Sequence, residues 1–320
     1  MPVSCGPTAS APSTVPSTAP PMGPATGPAA GLGALAGSLP GRVLGIDAGG
    51  SATRAVVLED GHLTRLPPAP PMNALLTGNL LDMLEEVIRA SGATAAGIGM
   101  PGVRTRQQAG RLGAELRHRA GCPVRVTDDA HVAWLGAFGG APGVVVIAGT
   151  GSAAAGCGGG RWARAGGHGF ILGDHGSAYW IGRAGARAAL RWRDRTGGTE
   201  LIHDTVIRAS GVDLDTLVAE VHAHPAERGR LALLAPAITA IAGEDDTARG
   251  IARHLAALAG SVRDTIGPVP VTAAGGVFRS PVIWDRFAEL TGAGRALAEP
   301  AVGAALFGGA PGRFAERGYA

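Results

Sequence analysis

The sequence predicts an α/β protein of two lobes with a ligand cleft between them. Near residues 43–59, and again near residues 144–157, an apolar strand runs into a glycine turn with small hydroxyl residues and then returns as a second strand. A third strand, near residue 271, ends in a turn of the same kind. Stretches with helical spacing of apolar residues follow, so two α/β units stand in tandem. The Gly-Gly-Ala-Pro-Gly stretch at 139–143 is typical of the boundary between them.

The N-terminal lobe is predicted over residues 41–140. Its first strand is apolar and ends at an aspartate, and its second is rich in β-branched residues, which favour extended structure. Apolar residues at helical spacing indicate the first helix. The predicted strands are 43–47, 53–59, 63–66, 95–100 and 124–127, and the predicted helices are 75–90, 106–119 and 130–138.

The C-terminal lobe is predicted over residues 141–320, where the same pattern starts again. A strand leads into a hairpin, and the long segment 200–262 is mostly helical. The last helix is short, and it is the element that we consider for a return to the N-terminal lobe. The predicted strands are 144–148, 153–157, 161–164 and 269–273, and the other predicted helices are 177–195, 281–290 and 301–307.

Residues 1–40 carry no charge and consist mainly of Pro, Ala, Gly, Ser and Thr. Because this composition buries too little apolar surface to offset the cost of ordering, we expect a disordered tail. A secretory signal needs a basic start and a compact apolar core, and neither is present. The uncharged run 132–160 contains glycines and a proline, and its apolar core 144–148 has only the length of a strand. We therefore expect no membrane segment.

Lysine is absent, and all 28 basic residues of this 320-residue chain are arginine. This excludes the Walker A loop and the protein-kinase site, which both use a lysine, and it excludes Schiff-base chemistry. Phosphoryl transfer would depend on backbone amides, helix N-termini, arginine and a divalent metal. The net charge of +3 is small, so we expect no nucleic-acid partner. The three cysteines lack C-x-x-C spacing and fit a reducing cytoplasm.

The three glycine turns suggest a bound nucleotide. Glycine has no Cβ atom, so backbone N–H groups in such turns approach a phosphate closely. A single turn is weak evidence because any hairpin supplies one, whereas three in one chain indicate ATP. The residues predicted to bind ATP are Gly49, Gly50, Ser51, Thr53, Thr150, Gly151, Ser152, Gly275 and Gly276.

These turns resemble motifs of the BadF/BadG/BcrA/BcrD ATPase family, and within it of the N-acetylglucosamine kinases. Residues 45–53 read Gly-Ile-Asp-Ala-Gly-Gly-Ser-Ala-Thr and look like the family's first phosphate loop, although the lysine of that loop is missing. Residues 148–152 look like the second phosphate loop, and residues 274–277 look like the adenosine motif. The resemblance extends from residue 45 to about residue 307, and it implies the two-lobed ATPase fold of actin, Hsp70 and the sugar kinases.

A further loop carries the resemblance on the sugar side. Residues 166–180 are similar to the family form Gly-Gly-Trp-Gly…Gly-Asp-Glu-Gly-Ser. His168 stands in place of the tryptophan, and His175 stands in place of the glutamate. Both replacements bear on the choice of substrate rather than on the fold.

The resemblance also implies the roles of individual residues. Asp129, in the segment Thr-Asp-Asp-Ala, matches the catalytic aspartate and would act as the general base. Asp47, at the end of the first strand, would orient Mg²⁺. The residues implied in sugar binding are Asn73, Asp129, Gly166, Gly167 and Asp174.

Each of these aspartates has a structural alternative. Asp47 would otherwise cap local N–H groups of a turn, and Asp128 or Asp129 would cap the helix that follows. Both roles are compatible if Asp128 caps while Asp129 points into the cleft. For Asp174, the residues leave sugar binding and helix capping equally open.

The leading hypothesis is a cytoplasmic, ATP- and Mg²⁺-dependent kinase of an amino sugar, most simply N-acetylglucosamine at its 6-hydroxyl. A glucosamine kinase is the nearest alternative, but it needs an acidic pocket that His168 and His175 do not supply. An ATPase switch, like the activators of 2-hydroxyacyl-CoA dehydratases, needs cysteine ligands for an iron–sulfur cluster, and Cys122 and Cys157 lack that arrangement. A non-catalytic regulator ranks below the kinase. The oligomeric state stays open, with a homodimer among the alternatives.

Overall fold

The computed structural model covers both lobes. The residues it describes are 37, 39–49, 52–74, 78–224, 228–241, 246–310 and 314. Gly50 and Ser51, both predicted to bind ATP, lie outside these residues, as does most of the predicted tail. Leu39 falls within the range predicted as tail, yet it is buried in the same apolar cluster as Val43. The packed part of the chain therefore begins before residue 41.

Among the described residues, the first lobe is built on a five-stranded sheet. Its strands are β1 (Val43–Ala48), β2 (Thr53–Glu59), β3 (His62–Arg65), β4 (Ala95–Gly99) and β5 (Val124–Thr127). They lie in the order β3-β2-β1-β4-β5. The hairpin strands β1, β2 and β3 pair antiparallel, whereas β1, β4 and β5 run parallel.

In the described part of this lobe, one helix follows each of the strands β3, β4 and β5. These helices are α1 (Leu80–Ser91), α2 (Arg106–Ala120) and α3 (Asp129–Phe138). Side chains alternate along β1, so Leu44 and Ile46 share a core with α1 and α2. Val43 points to the other face, where it shares a core with α3. Helices on both faces of the sheet explain why β1 is almost entirely apolar.

In the described part of the second lobe, the sheet has four strands. They are β6 (Gly143–Ala148), β7 (Ser152–Gly158), β8 (Arg161–Gly166) and β9 (Val271–Ala274). Their order is β8-β7-β6-β9, with β6, β7 and β8 antiparallel and β6 and β9 parallel. This lobe thus repeats the hairpin and parallel crossover of the first.

Helices pack against the second sheet and form its core. They are α4 (Ala178–Arg193), α5 (Glu200–Ser210), α6 (Leu214–Ala223), α7 (Gly229–Ala232), α8 (Ala235–Ile241), α9 (Asp246–Ile266) and α10 (Pro281–Thr291). A 3₁₀ turn at Gly276–Arg279 follows β9. The core joins Val144 and Val146 of β6 to Ile181 of α4 and Leu255 of α9.

Helix α11 (Pro300–Gly309) packs on the first sheet, against β1 and β4, and on α3. The contact is close because glycines line it. A Cβ atom added at Gly97 would lie 1.9 Å from the carbonyl oxygen of Ala304, and one added at Gly45 would lie 2.0 Å from that of Ala301. The C-terminal helix is therefore part of the core of the first lobe.

The predicted elements agree with the structure to within a few residues at most ends, and the mixture of strands and helices confirms the α/β class. The helix predicted at 75–90 begins at Leu80, and residues 75–77 lie outside the described residues. The strand predicted from residue 269 begins at Val271, because Pro270 has no N–H group for the ladder. None of the described helices combines the length and apolar character that crossing a membrane requires.

Candidate active site

The carboxyl ends of parallel strands meet at one edge of each sheet. In the first sheet this edge carries the ends of β1, β4 and β5, and in the second it carries the ends of β6 and β9. The glycine turns predicted from the sequence follow β1, β6 and β9. Because open α/β sheets bind ligands outside the carboxyl ends of their strands, these edges form the candidate site.

Two aspartates stand where β5 passes into α3. Asp128 is the N-cap of α3, and its Oδ1 atom accepts a 2.9 Å hydrogen bond from the backbone N–H of His131. Asp129 is the first residue of the helix, and its Oδ1 atom accepts a 3.0 Å hydrogen bond from the N–H of Ala130. Asp128 is buried and Asp129 is only half-buried. The helix is thus capped by Asp128, while Asp129 keeps part of its surface open to a ligand.

Negative charges crowd this edge of the first sheet. The pKa of Asp47 is raised to about 7, first by burial and then by the charge of Asp129, with Arg54 opposing the rise. The pKa of Asp128 is also raised to about 7, by burial first and by Asp129 second. Burial raises the pKa of Asp129 as well. Clustered carboxyl groups with raised pKa values in a cleft are typical of a functional site.

The first glycine turn joins β1 to β2. The N–H of Gly49 donates to the carbonyl of Ala52 at 3.2 Å, and an added Cβ atom at Gly49 would lie 2.6 Å from that same oxygen. The sequence predicts Thr53 as a phosphate ligand. In the structure Thr53 is buried, and its hydroxyl donates to the carbonyl of Pro70 at 2.8 Å. Because that hydroxyl holds the segment around Pro70 in place, we leave Thr53 out of the proposed phosphate ligands.

Asn73 lies three residues after Pro70, whose carbonyl group accepts the hydrogen bond from Thr53. The N–H of Ala74 donates to the carbonyl of Pro101 at 3.2 Å, which places this segment beside the end of β4. Asn73 is half-buried there. It therefore lies at the same sheet edge as Asp47 and Asp129, and its role in sugar binding stays a prediction.

The second glycine turn, residues 149–151, joins β6 to β7 and packs on Asp174. A Cβ atom added at Gly151 would lie 2.8 Å from the Oδ2 atom of Asp174. The sequence predicts Ser152 as a phosphate ligand, but Ser152 is buried and its hydroxyl donates to the carbonyl of His175 at 2.8 Å. The backbone N–H of Ser152 is also engaged, because it donates to the carboxyl group of Asp174. We therefore leave Ser152 out of the proposed phosphate ligands and keep the half-buried Thr150 and Gly151.

Asp174 lies in the loop between β8 and α4, and it does not cap the helix. The N-cap of α4 is Ser177, whose side chain accepts a hydrogen bond from the N–H of Trp180. Asp174 has a φ of 56°, a left-handed conformation that is uncommon for a residue with a Cβ atom. Burial raises the pKa of its carboxyl group, and the N–H of Ser152 opposes that rise. This buried carboxyl group is consequently available for a role in the site.

The same loop begins with glycines in the left-handed region. The φ angles of Gly166 and Gly167 are 74° and 69°. His168 and His175 both lie exposed on the loop, and the ring of His175 is centred 5.4 Å from that of His254. Within the described ranges, no three His, Cys, Asp or Glu side chains form a group that could hold a metal ion.

The third glycine turn lies directly against the second. Gly275 has a φ of 106°, and a Cβ atom added to it would lie 2.3 Å from the carbonyl oxygen of Ala148. Gly275 and Gly276 are both exposed. Two turns with open backbone groups thus stand side by side at the carboxyl edge of the second sheet.

Charged groups of the two lobes approach each other across the cleft. Burial is the main cause of the raised pKa of Asp129, and the charge of Asp174 adds to that rise from the second lobe. Arg164, on β8, extends to the first lobe, where its Nη1 atom lies 3.9 Å from the Oδ1 atom of Asp128. Within the second lobe, the Nη1 atom of Arg228 lies 4.0 Å from the Oδ2 atom of Asp174.

Both arginines were missed by the reasoning from sequence. The available indication for Arg164 was its place two residues before Gly166, in a chain without lysine. Nothing in the local sequence distinguished Arg228, which precedes a short helix. Arg164 approaches Asp128 through the packing of the two lobes, whereas Arg228 approaches Asp174 through the packing of two segments of the second lobe.

Known proteins similar to this chain include one curated kinase and two solved structures. An N-acetylmuramic acid/N-acetylglucosamine kinase of Clostridium acetobutylicum is 39% identical over 88 residues, which are 26% of this chain and 28% of that protein. The chain thus spans less than a third of the curated relative that it matches.

The similarity to the two solved structures extends over most of this chain. A candidate N-acetylglucosamine kinase of Chromobacterium violaceum is 25% identical, with a TM-score of 0.62, over 83% of this chain and 98% of that one. A second candidate N-acetylglucosamine kinase, of Porphyromonas gingivalis, is 20% identical, with a TM-score of 0.69, over 82% and 96%. These similarities confirm the predicted two-lobed sugar-kinase fold.

The family profile agrees with the motifs quoted from the sequence. The profile of the BadF/BadG/BcrA/BcrD ATPase family matches residues 44–308, which contain all of both sheets except Val43 and every described candidate site residue. A match over most of the chain confirms the resemblance that the glycine turns and the Thr-Asp-Asp-Ala segment carried. This chain belongs to the BadF/BadG/BcrA/BcrD ATPase family.

Proposed function

We propose that this protein transfers the γ-phosphoryl group of ATP to a hydroxyl group of an amino sugar. The substrate that we favour is N-acetylglucosamine, phosphorylated at its 6-hydroxyl. The observation that carries the proposal is the convergence of Asp47, Asp129 and Asp174 at the carboxyl edges of two sheets, beside glycine turns. The names of the similar proteins support an amino sugar as the acceptor.

The glycine turns would hold ATP. Because the chain has no lysine, the phosphate charge has to be met by backbone N–H groups, arginine and a metal ion. The turns after β6 and β9 lie side by side and offer exposed backbone. The phosphate and adenosine contacts that we propose are Gly49, Gly50, Ser51, Thr150, Gly151, Gly275 and Gly276, of which Gly50 and Ser51 lie outside the described residues.

Mg²⁺ fits the acidic edge of the first sheet. This ion prefers oxygen ligands, and in such enzymes it is held by one or two carboxylates and the substrate phosphates rather than by a full protein cage. We assign Asp47 to the ion, since a divalent cation would relieve its repulsion with Asp129. When bound, Mg²⁺ would neutralise charge on the phosphates.

In the proposed reaction, Asp129 acts as the general base. The sugar hydroxyl oxygen forms a bond to the γ-phosphorus, and the bond between that phosphorus and the oxygen bridging to the β-phosphate breaks. The electron pair of the broken bond leaves with ADP, and the hydroxyl proton passes to the carboxylate of Asp129. The residues that we propose for the remaining sugar contacts are Asn73, Gly166, Gly167 and Asp174.

A coupled assay of ADP release tests this proposal. The purified protein is given ATP, Mg²⁺ and one sugar at a time: N-acetylglucosamine, glucosamine, N-acetylmuramic acid or glucose. We expect the highest kcat/KM with N-acetylglucosamine, and phosphorus NMR of the product should show an ester at carbon 6. As an ATP-dependent enzyme, the protein would act in the cytoplasm.

The other outcomes separate the alternatives. Turnover restricted to glucosamine or N-acetylmuramic acid would change the sugar and leave the kinase. ADP release that needs no sugar would favour an ATPase switch. A folded protein that releases no ADP with any sugar would contradict the kinase proposal.

A further inference from the structure

We propose that Arg164 is a further catalytic residue, whose guanidinium group binds the phosphoryl group while it passes from ATP to the sugar hydroxyl. The inference rests on the proposed kinase function. It adds a side chain that lies outside the set predicted from the sequence.

Arg164 approaches the proposed base from the opposite lobe. It lies on β8, an edge strand of the second sheet in the described chain. Its Nη1 atom is 3.9 Å from Asp128, and its positive charge also acts on Asp129. The guanidinium therefore stands between the two sheets, beside the place where a hydroxyl held by Asp129 would receive the phosphoryl group.

The hydrogen-bond donors of Arg164 are not used by the fold. A separation of 3.9 Å is too long for a hydrogen bond, and among the described residues the guanidinium donates none. By contrast, Arg263 donates to the carbonyl oxygens of Val269 and Thr291 and serves the structure. Five free N–H groups in a planar fork match the oxygens of a phosphoryl group.

Gly167 leaves room for the guanidinium group of Arg164. A Cβ atom added at Gly167 would lie 2.7 Å from the Nη2 atom of Arg164. Gly167 also has a left-handed φ of 69°, which favours glycine. The loop that enters the proposed sugar site thus begins at a residue that keeps space open for the arginine.

The charges of the site favour a cation at this place. Asp47, Asp128 and Asp129 lie together, and a phosphoryl group brings further negative charge towards them. The chain has no lysine to offset it. Arg54 acts on Asp47, whereas Arg164 acts on both Asp128 and Asp129. Arg164 is consequently the side chain placed to stabilise the phosphoryl group near the base.

The test compares Arg164→Ala and Arg164→Lys with Arg161→Ala, a control at an exposed arginine of the same strand. We expect Arg164→Ala to lower kcat by roughly 10²–10³-fold, with little change in KM for the sugar. Added guanidinium ion, well below unfolding concentrations, should restore part of the lost turnover. Arg164→Lys should be intermediate because it keeps the charge but loses the planar fork. Arg161→Ala should keep the wild-type kcat.

Calorimetry supplies a second readout that a structural role would not move. Arg164→Ala should bind N-acetylglucosamine as the wild type does and bind N-acetylglucosamine 6-phosphate more weakly. An unchanged kcat, or equal loss of affinity for both ligands together with a lower Tm, would overturn the role of Arg164 alone. A wild-type protein without sugar-dependent turnover would overturn the kinase proposal, and this inference with it.

Discussion

Gly151 and Asp174 are close neighbours, and a Cβ atom added at residue 151 would lie 2.8 Å from the Oδ2 atom of Asp174. The two residues come from different segments, the turn after β6 and the loop before α4. Ser152 joins the same segments through its hydrogen bond to the carbonyl of His175. The proposed phosphate turn and the proposed sugar loop therefore form one packed unit of the second lobe.

Replacing Gly151 with alanine should impair the use of both substrates. The new methyl group would displace the buried carboxyl group of Asp174, and small misplacements in a site cost up to about 10²-fold in rate. We expect kcat/KM to fall roughly 10–100-fold for ATP and for the sugar, measured with each substrate varied in turn. Gly149→Ala is the matched control, because nothing lies within 4 Å of its added Cβ atom. Equal effects of the two variants would contradict the coupling.

The contact between α11 and the first sheet should tolerate no added side chain. A Cβ atom at Gly97 would overlap the carbonyl oxygen of Ala304, so backbone has to move. We expect Gly97→Ala to reduce the free energy of unfolding by about 3 kcal/mol or more, measured by thermal or urea unfolding. Gly110→Ala, at an exposed and uncrowded position in α2, should stabilise by about 0.5–1 kcal/mol. A Gly97→Ala protein as stable as the wild type would refute the close packing.

The adjacent aspartates Asp128 and Asp129 should respond differently to the same substitution. Asp129→Asn removes the proposed base, so kcat should fall by roughly 10²–10⁴-fold while ATP still binds. Asp128→Asn should keep most of the turnover, because asparagine also caps a helix N-terminus well. Steady-state kinetics and nucleotide titration distinguish the two. If Asp128→Asn proved the inactive variant, the role of base would pass to Asp128.

The Mg²⁺ requirement should depend on pH through Asp47. The raised pKa of about 7 means that this carboxyl group is largely protonated below pH 7 and ionised above it. Mg²⁺ binds the ionised form. The Mg²⁺ concentration needed for half-maximal activity should therefore decrease as the pH rises from about 6 to about 8. Titrating Mg²⁺ at each pH measures this. EDTA should abolish turnover, and Asp47→Asn should remove the pH dependence. Metal-independent turnover would exclude the assignment.

Local patterns were enough to predict the strands that carry the glycine turns. The strands expected at 43–47 and 144–148 are found at Val43–Ala48 and Gly143–Ala148. A run of apolar, β-branched residues that stops at glycine favours a strand followed by a turn. This preference depends only on residues that are adjacent in the sequence, so it can be predicted without the structure. The family followed from the same turns for the same reason.

The hydrogen-bond partners of the hydroxyl groups in those motifs could not be predicted from the sequence. Thr53 and Ser152 were predicted to contact phosphate, but they donate to carbonyl groups 17 and 23 residues further along the chain. A buried hydroxyl takes whichever acceptor the packing brings to it, because leaving it unpaired costs free energy. The partner of such a group depends on the path of the whole chain.

The sequence by itself determined the α/β class, the family, the three glycine turns and the aspartates at 47, 129 and 174. Only the tertiary structure decided that Ser177 rather than Asp174 caps α4, that α11 packs on the first sheet, and that Arg164 reaches Asp128 across the cleft. Helix periodicity and turn chemistry act over a few residues. Contacts between segments that are distant in the sequence depend instead on how the whole chain packs. A pattern of a few neighbouring residues does not determine that packing.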